Sequence, residues 1–197
     1  MNWLKRIWMA ITGMKRNVTP PAVVPVVTGA TTTVTTTELT GAITTSDAGF
    51  VLGQTEGLIV GELPMIMDAI KKVNTVVKST VFRNEMIASR FTETEGLTNQ
   101  EIYDKFTKSK ITVNVSMFTG SWRQNHVYRT VGFDDEGDDF VHANRYFVDD
   151  SSTLASLILH EIAHSLGFSH SSSTDYTSVP YMMNSIYDTC AERLGIK

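Results

Sequence analysis

A single cysteine, Cys190, in 197 residues leaves the chain without any internal disulfide. Its stability must come from the core or from a bound metal, which suits a reducing compartment without requiring one. Positive charge is also in short supply. Seventeen Lys and Arg against 21 Asp and Glu give a net charge of −4, which argues against nucleic acid as a partner. No apolar stretch has the length of a bilayer span. The one nearest the start, Ile7–Met14, holds Thr12 and Gly13 and runs into Lys15 and Arg16 with no small-residue cleavage site, so it makes no convincing signal peptide. An intracellular or assembly-associated location is expected ahead of secretion. With 42% hydrophobic residues, the length suits one globular domain and an additional segment.

The additional segment reads as two pieces. In residues 1–16, Trp3, Leu4, Ile7, Trp8, Ile11 and Met14 share one arc of a helix, while Lys5, Arg6 and Arg16 point elsewhere. Such a basic amphipathic helix is fit to lie on a membrane surface or to dock into a protein assembly. Residues 17–63 form a Pro/Thr/Gly-rich arm or linker. Pro20-Pro21-Ala22-Val23-Val24-Pro25 favours extended chain, and the threonine-rich run 31–37 is stiff without apolar bulk. Glycines at 49, 53, 57 and 61 make the last part an irregular lead-in to a domain spanning 64–197.

Within that domain Pro64 sits in the first turn of a long helix whose Ile66, Ile70, Val73 and Val77 form a core-facing stripe. Ile111–Phe118 alternates apolar and polar residues and reads as a strand, with further strands expected at 126–131 and 140–148. Helix, strands, helix and terminal helix make an α/β layout around a mixed twisted sheet.

The chemistry is concentrated in His160-Glu161-Ile162-Ala163-His164-Ser165-Leu166-Gly167-Phe168-Ser169-His170, which spells H-E-x-x-H-x-x-G-x-x-H. Thr153–Leu166 reads as a helix with Ser151 and Ser152 as N-caps. His160 and His164 then stand one turn apart on the same face, close enough for two imidazoles to share one ion at Zn–N distances of about 2.0–2.1 Å. Gly167 can take the left-handed conformation that ends the helix and brings His170 round as a third ligand. Three protein ligands leave the fourth position open, which is the catalytic and not the structural arrangement of zinc. Glu161, directly after the first ligand, is placed to act as general base and then general acid on a water activated by the metal. A solvated helix face would explain two histidines at i and i+4, but not the Gly-x-x-His extension. Glu192, the only later glutamate, reads as an exposed acid on a short terminal helix.

These residues resemble the metzincin zinc metallopeptidases, and Ser171 directly after the third histidine resembles the matrixin-like branch. The resemblance covers at most the chain from Pro64 onward and is specific from Leu154 to Tyr187. It implies a zincin fold with a mixed twisted sheet, a long N-terminal helix, an active-site helix and a short C-terminal helix. It also implies a methionine turn beneath the metal, for which Met183, then Met182, is the candidate; the other reading is that both methionines fill core volume. It further implies an edge strand, 140–148, running antiparallel to a bound peptide, and a side-chain pocket near Tyr181, Tyr176 and Val179. The chain departs from the family in two respects. Ser185 and Asn184 stand where related enzymes have a tyrosine after the turn methionine, Tyr181 and Tyr187 being off that spacing. Cys190 lies after the site, so no propeptide cysteine can mask the metal.

Two other metal signals in the sequence are weaker. The acidic run 134–139 has carboxylates suited to Ca2+ but not the spacing of an EF-hand loop. His126 and His142 lack a convincing ligand pattern for a second zinc. The expectation is therefore a zinc-dependent endopeptidase acting on protein or peptide substrates. The alternative is a structural or assembly protein, for instance virion-associated, carrying a latent zinc domain. A third reading is a zymogen in which residues 1–63 cover the cleft.

Overall fold

The computed structural model describes residues 49–128, 131–133, 139–170 and 176–197. The amphipathic 1–16 segment, the arm as far as residue 48, residues 134–138 of the acidic run and Ser171 lie outside the described residues.

The architecture is mixed α/β. A four-stranded sheet has the order β1 (Gly49–Glu56), β2 (Lys110–Phe118), β4 (Phe140–Asn144), β3 (Gly132–Phe133). The first three strands run parallel, and β3 pairs antiparallel with β4 through Gly132 with Ala143 and Phe133 with His142. Helix α1 (Glu62–Val77) packs on β1 and on α4 (Ser151–Ser165), and α5 (Val179–Leu194) packs on α4 and also meets α1. Two shorter helices, α2 (Thr80–Ala88) and α3 (Asn99–Lys108), connect α1 to β2. Among the described residues no helix is long and apolar enough to cross a membrane.

The α1 stripe is as its spacing requires: Ile66, Ile70, Val73 and Val77 are all buried, together with Ala69 and Val76. In β2 the alternation sends Val113, Val115 and Met117 into the same core. The domain's sheet begins earlier than expected, since 49–56, read as irregular, form strand β1. Phe50 is buried and its backbone is tied to α1 from both sides, its N–H donating to Asn74 Oδ1 at 3.0 Å and its carbonyl accepting from Asn74 Nδ2 at 2.7 Å. Gly53 breaks the strand pattern because the ladder slips there. A Cβ at 53 would collide with Asn114 Oδ1, which accepts from the Gln54 N–H at 2.8 Å.

Three further expectations are corrected. The strand expected at 126–131 is instead a π-helical turn at Gln124–Tyr128, started by Ser121, whose N–H and hydroxyl bond the Gln124 side chain and backbone. The strand expected at 140–148 stops at Asn144, whose carbonyl accepts from both Phe147 and Val148 N–H and closes a turn. That strand is also not at the edge, because β3 pairs outside it. Helices α2 and α3 were not anticipated, although Ser79 caps α2 and the Thr98/Glu101 capping box starts α3.

Candidate metal centre

The N-cap of helix α4 is Asp150, one residue before the expected serine caps. Asp150 accepts from the Thr153 N–H at 2.7 Å, while Ser151 and Ser152 accept from Lys72 Nζ at 2.9 and 2.7 Å. Buried Leu154, Ile158, Leu159 and Ile162 fix the helix against the core, and this holds His160 and Glu161 inside, at 0% and 5% exposure. His164, one turn on, is half-buried.

The helix closes as the glycine demands. Gly167 has φ of 91°, its N–H donates to the His164 carbonyl at 2.8 Å, and the Phe168 N–H donates to the Ala163 carbonyl at 3.0 Å. This is the Schellman arrangement, open to glycine because it has no Cβ to clash. The reversal returns the chain so that His170, 6% exposed, packs against both other histidines, with ring centroids 4.9 Å from His164 and 5.8 Å from His160.

One ring nitrogen from each of His160, His164 and His170 lies within 4.8 Å of the other two. Nε2 of His160 and Nε2 of His164 are 3.1 Å apart. Two ligands of a tetrahedral ion at about 2.0–2.1 Å are separated by about 3.3–3.4 Å, so the spacing fits a shared ion closely. The tautomer of His164 is set as well. Its Nδ1 lies 2.9 Å from the Phe168 carbonyl, which can only accept, so Nδ1 carries the hydrogen and Nε2 is the ring nitrogen suited to ligate in the neutral form. Burial holds the His160 imidazole well below its ordinary range. The charges of His164 and His170 push the same way, and a hydrogen bond to the backbone of Pro180 opposes them. A neutral imidazole is the form that ligates metal.

No family model, curated protein or solved structure matches this chain.

Tyr181 is the residue whose place the sequence left open. It is buried, with its ring 4.7 Å from that of His170 and 5.5 Å from that of His160, and Tyr176 packs on its outer side at 5.5 Å. Burial, then Tyr176, raises its phenol above the usual value. Of the three residues expected in a pocket, Tyr181 comes to the histidines and Tyr176 packs on Tyr181, whereas Val179 is wholly buried in the core.

Met183 and Met182 do not form a turn. Both lie in α5, which Ser178 and Pro180 start and which contains no glycine before its C-cap at Gly195. Met183 is fully buried and Met182 packs partly against the same core. The C-terminal helix is accordingly 16 residues long and not short. His126 is wedged between the rings of Trp122 and Tyr146, and His142 lies beside Phe140. Among the described residues, neither joins a group able to hold a metal. Glu192 is exposed on α5.

Proposed function

We propose that the chain is a zinc-dependent endopeptidase of the metzincin type, with His160, His164 and His170 as metal ligands and Glu161 as general base and acid. The observation that carries this reading is the convergence of three imidazole nitrogens within 4.8 Å, two of them on one helix face and the third beyond a glycine reversal. The motif itself supports it, since a histidine cluster on a helix gives no reason for the Gly-x-x-His extension.

A zinc ion held by these residues would supply Lewis acidity, polarising the scissile carbonyl and lowering the pKa of water. His160 and His164 would hold the ion from the helix and His170 from the returning chain. The Glu161 carboxylate takes a proton from the attacking water and hands it to the departing amine nitrogen. Tyr181 closes one side of the centre, shielding His160 and His170 from solvent.

The test is to incubate the zinc-loaded full-length chain with a diverse peptide library and read new termini by mass spectrometry. Cleavage that stops with 1,10-phenanthroline and returns with added zinc is expected. A chain that carries stoichiometric zinc yet produces no new termini would overturn the reading.

A further inference from the structure

We infer that Lys105 on α3 is a positioning residue that sets metal affinity by gripping the turn behind His164. This rests on the reading of His160, His164 and His170 as metal ligands.

The link runs through three contacts. Lys105 Nζ donates to the Leu166 carbonyl at 3.0 Å. Leu166 is the C-cap of α4, where carbonyls lack partners within the helix and the dipole favours a cation. The same Nζ lies 5.1 Å from the centroid of the Phe168 ring, within cation–π range. Phe106, the next residue on α3, stacks on that ring with centroids 6.4 Å apart and planes at 4°. Helix α3 therefore holds the turn at its backbone and at its side chain.

The carbonyl that orients His164 belongs to Phe168, the residue whose ring α3 grips. Phe168 O takes the Nδ1 hydrogen at 2.9 Å, and the opposite nitrogen, Nε2, is the one facing His160. If the turn shifts, the carbonyl moves, the imidazole rotates with it and Nε2 leaves its place beside His160. Partners that orient a ligating histidine typically matter about 10–100-fold in metal affinity. Lys105 is exposed, so its replacement leaves the core intact.

Charge and position predict opposite signs, which makes the inference testable. Removing a positive charge near a dication tightens binding by Coulomb's law alone. Removing the grip on the turn weakens it. Zinc affinity is to be measured on the full-length chain by competition with a chromophoric chelator, alongside the visible absorption of the Co2+-substituted protein. Lys105→Met is expected to bind zinc about tenfold more weakly and to shift the Co2+ bands. Lys105→Arg, which keeps both donor and cation, should restore them, and the thermal midpoint of metal-free Lys105→Met should match the wild type. Unchanged or tighter zinc binding by Lys105→Met overturns the inference, as does a loss that Lys105→Arg fails to rescue. A wild-type chain that binds no zinc would instead refute the metal site itself, and the first titration shows it.

Discussion

Nε2 of His160 faces Nε2 of His164 at 3.1 Å across one turn of α4, and the Phe168 carbonyl fixes the second ring from behind. On the proposed reading, replacing His164 removes a ligand while leaving the helix sound, since alanine is the best helix former and the position is only half-buried. His164→Ala should lose zinc on dialysis under conditions where the wild type keeps one ion per chain. Metal content by mass spectrometry checks this, and full retention by the variant contradicts it.

The buried imidazole of His160 has a consequence for stability. Its folded-state pKa is lowered by burial and by its two histidine neighbours, from an unfolded value of 6.5. The unfolded chain therefore takes up that proton at a higher pH than the folded chain. The contribution is fully present above about pH 6.5 and is lost as pH falls below that value. The urea midpoint of the metal-free chain is expected to be lower at about pH 5.5 than at about pH 7.5. An equal or higher midpoint in acid contradicts it.

Arg145 ties together elements distant in sequence. Its Nε and Nη2 donate to Glu62 at 2.9 and 3.2 Å, Nη2 also reaches the Gly57 and Met117 carbonyls, and Nη1 reaches Thr119 Oγ1 at 2.8 Å. Glu62 is buried, with 11% of its side chain exposed, so cutting the pair leaves its carboxylate without a counter-charge, held by the Ile59 N–H at 2.8 Å. Arg145→Ala should cost about 3 kcal/mol, read from urea unfolding. A change below about 1 kcal/mol would show that the pair is no stronger than a surface ion pair.

What the sequence made legible was whatever a short-range pattern dictates. The α1 stripe, the β2 alternation and the turn at Gly167 follow from helix and strand periods and from glycine's freedom. Strand β1 was hidden because Gly53 reads as coil until Asn114, 61 positions later, is seen filling the space its missing Cβ leaves. The π-helical turn at Gln124–Tyr128 depends on Ser121 and Gln124 bonding each other, and β-branched neighbours gave the opposite local cue. Met182 and Met183 fit either a turn or a helix by composition, and Pro180 with Ser178 decided for the helix. The grip of Lys105 and Phe106 on the turn spans some sixty residues, beyond any local pattern.

The lone cysteine supplies a simple probe of the native state. Cys190 is fully buried in α5, and burial, helped by Glu85 and opposed by Arg193, pushes its thiol up to about 12. The folded chain should resist thiol reagents at about pH 8 and react fully after unfolding in guanidinium. Labelling of the folded chain at the unfolded rate contradicts the packing of α5.

The proposed division of labour between ligands and base is tested most directly by Glu161→Ala beside the wild type, measuring bound zinc and peptide hydrolysis on the same preparations. The variant is expected to hold one zinc per chain, as the wild type does, and to lose all but a small fraction of turnover. Hydrolysis by Glu161→Ala at a rate close to wild type would contradict the account, because the proton would then be moving without Glu161.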